Sequence, residues 1–335
     1  MKGNMEHNNT YWSKLLERKL LINIGKGGVG RSTLSAALAR AAAKQGKRVL
    51  VCEVNAKERM SGLLGGRRPE SLDTLDQIWQ VDDNLWTVNI EPWTAMKEYV
   101  VQVLRLKLVY NLVFENRMMK YFLRGVPGLQ ELVFAGKVWF HVAEDKVGGS
   151  PRFDLVIVDA PATGHGFAML RIANVVLSIS PPGPMRNAAQ KMVDVLADQD
   201  DTWINLVTLP EEMPVQESIE LYEKIEKQLG FPLGYTWINQ WPANVCSSEQ
   251  EELLAATQEK GLEDPTGWPM WLLAERATFL KNRAEEQEEW LKQHVPLPIM
   301  HVPYEEPGQR TDKEWVSALS EKIEQQLMRE AVDAS

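Results

Sequence analysis

The sequence predicts an α/β fold, a doubly wound and mainly parallel sheet with helical insertions, and three observations carry that expectation. Short β-rich apolar runs alternate with stretches of helical period along most of the 335 residues. One run, "LLINIG", opens into a glycine loop and then an alanine-rich helix. Another, "FDLVIVDA", delivers an aspartate to a proline-bent turn. Runs this continuously apolar belong to strands buried on both faces, as in parallel sheets covered by helices on each side.

Taken in chain order, the strands are "KLLINIG", "RVLVCEV", "NLWTVNI", "FDLVIVDA", "TWINLVTL", "LGYTWIN" and "LPIMHVP". Between the third and fourth lies an insertion over residues 93–146, helical in spacing, with one clear breaker, "RGVPG". Within it Met96, Tyr99, Val100, Val103 and Leu104 recur at helical spacing with Lys97, Arg105 and Lys107 interleaved. Such a stripe packs on its own neighbours in the ordinary case, and a client or partner groove is the alternative. A second insertion over 246–294 is acidic, glutamine-rich and broken by "EDPTGWP", and a closing helix follows from about Thr311 to Glu330. No internal repeat or low-complexity segment divides the chain, so residues 1–335 read as a single domain.

With 44% hydrophobic and 25% charged residues the chain has ample material for a large core. A net charge of −9 argues against generic binding of nucleic-acid backbone. The N-terminus lacks a secretory apolar core, and no stretch supplies the roughly 18 apolar residues of a membrane span. A cytoplasmic chain without an integral membrane segment is therefore expected. Cys52 and Cys246 form no C-x-x-C pair and read as free thiols, Cys52 as a small hydrophobe within a buried strand.

Between the first strand and its helix stand Gly25, Lys26, Gly27, Gly28, Val29, Gly30, Arg31, Ser32 and Thr33. In that setting backbone N–H groups and a helix N-terminus converge on an anion, and phosphate is the natural guest. Read as G-x-x-x-x-G-K-[ST], the loop matches at Gly25, Gly30 and Ser32 but offers Arg31 where the lysine belongs. The Ser32 hydroxyl can ligate Mg2+ and Thr33 can reach a phosphate oxygen. The same residues also read as G-x-G-x-x-G through Gly25, Gly27 and Gly30, with Glu53 at the next strand end where a dinucleotide's ribose would sit. The polar start of the helix favours a mononucleotide with magnesium, since a dinucleotide-binding helix begins with small apolar residues.

Asp159 arrives at the carboxyl edge of the sheet and can hold Mg2+ through water, followed by a loop, 160–166, free to respond to a γ-phosphate. His165 could report that state. The alternative for Asp159 is a cap on a helix over Thr163 to Ile172.

With Lys26 ahead of "GGVG" and "DAPATGH" downstream, the sequence resembles the deviant Walker A ATPases, in particular the arsenite-transporting ATPase family and its shorter bacterial branch. That family includes the ATPase that escorts tail-anchored membrane proteins. The likeness extends through "EVNAKERMSGLLG", "VTLPEEMPVQES", "WINQ" and "PLPIMHVPY". It implies ATP/ADP and Mg2+ as cofactors, with Ser32 and Asp159 at the metal. It makes Lys26 the signature lysine that crosses a dimer interface to the partner's phosphates, and Asp159 the aspartate that opens switch II. It also makes Asn239 the reader of the adenine edge and the backbone near Pro303 a lid over the base. A homodimer, or a heterodimer with a related subunit, follows, with a helical protein client in view and no nucleic acid.

Two departures touch hydrolysis. Arg31 replaces a compact ammonium with a broad planar fork. Asn55 stands at the switch I position where relatives carry the aspartate that polarises the attacking water, and an amide has neither the charge nor the basicity for that role. Catalytic duties would fall to Lys26, Asn55 and Asp159, with turnover impaired. The expected function is an ATPase that couples nucleotide state to dimer conformation and partner binding. A non-hydrolysing regulatory subunit is the alternative, and a dinucleotide enzyme a weaker one. Arsenite transport and an iron–sulfur cluster are not expected, for want of the cysteine sets.

Overall fold

A computed structural model describes residues 11–54, 59–66, 77–91, 94–96, 128–243, 268–304, 308 and 310–333. All the runs read as strands lie in one eight-stranded sheet: β1 (Leu20–Gly25), β2 (Val49–Val54), β4 (Leu85–Ile90), β7 (Leu155–Asp159), β8 (Thr202–Thr208), β9 (Leu233–Trp241) and β10 (Ile299–Pro303). An edge strand that the sequence reading missed, β3 (Trp79–Asp82), pairs antiparallel with β4, while every other pairing in the sheet is parallel. β3 is half exposed and returns through a turn in which Asn84 takes a left-handed φ of 56°, so its apolar signal is weak. A small hairpin joins β5 (Lys146–Val147) and β6 (Ser150–Pro151).

The strand order is β10-β9-β8-β1-β7-β2-β4-β3. The chain leaves β1 towards β2 and later returns through β7 to β8 on the other side of β1. The loop after β1 therefore stands where the winding reverses, the place where open α/β sheets bind their ligands.

Alternation along each strand divides the core. Leu20, Ile22, Ile24, Leu50, Cys52, Val156 and Val158 face α4 (Leu129–Trp139), α5 (Thr163–Ile179), α6 (Pro184–Ala197), α7 (Glu212–Gln228) and the end of α8 (Trp268–His294). Leu21, Val49, Val51, Leu155 and Ile157 face α1 (Tyr11–Glu17), α2 (Arg31–Lys44), α3 (Met60–Leu63) and α9 (Asp312–Asp333). Helix α2 is buried on nearly all sides, between the sheet and α9, which is why it is built of alanines that let both neighbours approach closely. Cys52 is fully buried, and that burial pushes its thiol well above the ordinary range; Cys246 lies outside the described residues.

At one level of the sheet the apolar rule breaks. Asn205, Asn23, Asp159, Glu53 and Asn89 stand in register across β8, β1, β7, β2 and β4, all buried. The Asn23 amide donates to Ser35 Oγ (2.9 Å) and accepts from Asn205 Nδ2 (3.0 Å), while Asn205 Oδ1 accepts from the Tyr235 backbone N–H (3.0 Å). This ladder ties α2 to three strands and fixes their register. Asn205→Ala removes the donor to Asn23 Oδ1 and the acceptor of the Tyr235 N–H, and about 2 kcal/mol or more of stability is expected to go. A denaturant midpoint unchanged from the wild type would show that the ladder does not act this way.

Of the first insertion, residues 97–127, including Tyr99, Val100, Val103 and Leu104, lie outside the described residues; Ala95 and Met96 are buried in the core, and α4 closes the segment. The second insertion enters description at α8, whose Leu291 joins the core. The helix after the glycine loop starts at Arg31, and the helix after Asp159 continues past Ile172 to Ile179. Among the described residues no helix is long and apolar enough to cross a membrane.

Candidate functional site

The loop takes its shape from glycines where nothing else fits. Gly25 ends β1 opposite Val207 of β8, and a Cβ there would overlap the Val207 carbonyl oxygen. Gly28 and Gly30 adopt φ of 88° and 86°, conformations costly for any other residue, and Gly30 caps α2. A Cβ at Gly30 would overlap the amide nitrogen of Asn239, whose Nδ2 donates to the Val29 carbonyl at 2.8 Å. Asn239, nearly buried at the end of β9, thus braces the loop from below.

Ser32, in the first turn of α2, donates from its hydroxyl to Asp159 Oδ2 at 2.6 Å. Asp159 is 8% exposed, and its second oxygen, Oδ1, is buried without a hydrogen-bond partner. Burial holds its carboxyl above the ordinary value, opposed by the Ser32 hydrogen bond and then by the charges of Arg31 and Arg59. Such an orphaned buried oxygen is what a second, positively charged guest would satisfy. Arg31 does not stretch along the loop as a lysine would; its guanidinium donates to the Ala160 carbonyl, at the start of the turn after β7. Burial lowers its basicity and Asp159 raises it in return.

Lys26 pairs with Glu217 of α7 at 2.8 Å, both about one-third exposed. His165 pairs through Nδ1 with Glu131 of α4 at 3.1 Å, so the turn after Asp159 touches the helix that closes the first insertion. Glu53, 2% exposed, accepts from the backbone N–H groups of Arg59 (3.2 and 3.1 Å) and Met60 (3.3 Å). Its carboxylate is consumed by main chain, which removes it from the ribose-binding place that a dinucleotide would need.

A cleft of about 530 Å3 opens beside the loop, lined by Gly28, Gly30, Arg31, Ser32 and Thr33 together with Arg59, Leu63, Gln240, Asp312 and Trp315. Gly25, Lys26, Gly27, Val29, Asn239 and Pro303 do not line it: Gly25 and Val29 lie beneath the loop, and Pro303 ends β10 beside Trp241. Asn55 lies outside the described residues. The sequence reading missed Glu217, Glu131, Arg59, Gln240 and Trp315. Arg59, Glu217 and Gln240 fall within stretches that carry the family likeness, but no local pattern gives any of the five its role, because each reaches the site only through the packing of its element. Gln240, at a left-handed φ of 56°, is a partial exception, since an Asn-Gln pair at a strand end marks a turn.

A glycine loop at the topological switch point of a parallel sheet, opening onto a helix whose first hydroxyl meets an aspartate from a neighbouring strand, defines a P-loop nucleoside-triphosphatase fold. A family model described as anion-transporting ATPase matches residues 18–181. The ATPase BagA of Mycobacterium tuberculosis is 29% identical over 266 residues, covering 75% of each chain. A putative arsenical pump-driving ATPase of Aquifex aeolicus is 22% identical over 296 residues, 84% of this chain and 91% of its own. The ATPase GET3 of Kluyveromyces lactis is 22% identical over 226 residues, 59% of this chain and 64% of its own. The chain is thus similar to the ArsA/GET3-type ATPases, over the stretch that the family model matches and over most of its length in these relatives.

Proposed function

We propose that the chain is a magnesium-dependent, adenine-nucleotide-binding ATPase subunit of reduced hydrolytic power, whose nucleotide state governs association with a second subunit. The Ser32–Asp159 pair at the mouth of the glycine loop carries this reading. Its hydroxyl and carboxylate oxygens, one of them orphaned, fit a hard divalent cation. Ser32 and Asp159 would hold Mg2+, which when bound neutralises charge on the phosphates.

The chain's own residues do the rest. Backbone N–H groups of residues 25–33 bind phosphate oxygens, and Thr33 adds a hydroxyl. Arg31 ties the loop to Ala160, so a change at the phosphates is felt in the turn after β7 and, through His165 and Glu131, at α4. Lys26 is the deviant Walker A lysine by its place in the motif. Its partly exposed ion pair with Glu217 is the kind worth about 1 kcal/mol or less, weak enough for a partner's phosphates to displace. Dimerisation, homotypic or with a related subunit, and a helical client for residues 93–146 complete the reading. Arg31 and Asn55 are the reason to expect slow chemistry, and they also favour the second reading, a regulatory subunit that binds nucleotide without turnover.

Calorimetry with Mg-ATP, Mg-ADP and NAD, followed by single-turnover hydrolysis, tests this. ATP and ADP should bind and NAD should not. The pair Arg31→Lys with Asn55→Asp should raise turnover by about tenfold or more, as a restored water-orienting charge does, with little change in affinity. Brisk hydrolysis by the wild type removes the impairment, and a double variant that binds but stays silent favours the regulatory reading.

A further inference from the structure

The cations around the cleft are unevenly occupied. Lys26 is held by Glu217, and Arg31 is spent on the Ala160 carbonyl beside Asp159. Arg59 faces the same cleft from the β2 side, exposed, and its guanidinium makes no hydrogen bond or ion pair among the described residues. Its main chain, by contrast, is clamped. The buried Glu53 carboxylate grips the N–H groups of residues 59 and 60, and Glu53 is the register partner of Asp159 on the adjacent strand. An exposed cation is thereby mounted on a fixed base one strand away from Asp159, and its charge acts on that carboxyl.

We infer that Arg59 is a phosphate-binding residue that grips the terminal phosphate of the bound nucleotide from the β2 side of the cleft, supplying the guanidinium fork that Arg31 withholds. The inference rests on the nucleotide-site reading above and names a residue of that site outside the glycine loop. The chemistry favours the terminal phosphate over the others. Loop amides at the N-terminus of α2 take the phosphates they face, whereas Arg59 lines the same cleft from the segment after β2, and its charge acts on Asp159, which opens the turn after β7. An arginine there meets phosphate oxygens bidentately, which a lysine cannot reproduce in full.

The test compares the magnesium complexes of ATPγS and ADP by calorimetry in wild type, Arg59→Gln and Arg59→Lys. The clamp on Glu53 uses main-chain N–H groups, so both variants should keep the wild-type thermal midpoint without nucleotide. Arg59→Gln should weaken ATPγS by about tenfold or more, the size of a charge-assisted contact, and ADP by less than about threefold. Arg59→Lys should recover part of the ATPγS loss. An equal loss for both nucleotides, or no loss, overturns the assignment while leaving the nucleotide site standing. A wild type that binds neither nucleotide overturns the site reading itself.

Discussion

Gly25→Ala is expected to lower the stability of the chain by about 3 kcal/mol or more and to abolish nucleotide binding with it. The methyl would land on the Val207 carbonyl oxygen, which belongs to β8 backbone and has no rotamer to escape into. Either β1 and β8 part at their carboxyl ends or the loop lifts off the sheet, and both displace residues 25–33 together. Gly46→Ala is the control, because Gly46 has a left-handed φ of 84° at the end of α2 but open space around it, so only conformational strain of about 1 kcal/mol is at stake. Gly30→Ala falls between. Its methyl meets the Asn239 side chain, which can turn away at the loss of its bond to Val29, so binding should suffer more than the fold. Thermal midpoints of these variants decide the matter. A Gly25→Ala protein as stable as Gly46→Ala would mean that the sheet tolerates a wider gap than its register implies.

Gly25 also shows how far residues alone disclose the site. Its place in a tight glycine loop is legible from the spacing to Gly30 and Ser32, and so is the arrival of Asp159 at a strand end, because both depend on local pattern. The seven apolar runs were legible for the same reason, and β3 was not, since a half-exposed edge strand has little burial to record. What a pattern cannot hold is the direction of a side chain. The sequence marks Arg31 and Lys26 as cations of the loop, yet the partners that engage them, Ala160 and Glu217, lie well over a hundred residues away. The resemblance makes Asn239 a base-edge reader, and the structure adds that it braces Val29, a contact that needs β9 and the loop folded together. Glu53 was weighed as a ribose ligand, and only the path of the chain after β2 shows its carboxylate turned to the backbone of residues 59 and 60.

Asp159→Asn is expected to separate function from stability. The amide keeps the size of the carboxylate and an acceptor for the Ser32 hydroxyl, but it removes a buried negative charge whose desolvation the surrounding cations only partly offset. Without nucleotide the variant should therefore melt no lower than the wild type. Its affinity for Mg-ATP should fall by about a hundredfold or more, the loss of a charged ligand at a phosphate-bound cation, while affinity for ATP in excess chelator should change little. Ser32→Ala makes the complementary test. It should weaken Mg-ATP in the same direction but lower the unliganded midpoint, because it leaves Asp159 buried with one fewer hydrogen bond. A residue that merely capped the helix at Thr163 would show the reverse pattern, with stability lost in Asp159→Asn and the magnesium dependence of binding intact. A shared loss of magnesium-dependent binding, with stability lost only in Ser32→Ala, is what a metal-holding pair requires, and an arrangement in which Ser32 and Asp159 serve only each other would leave the magnesium dependence intact.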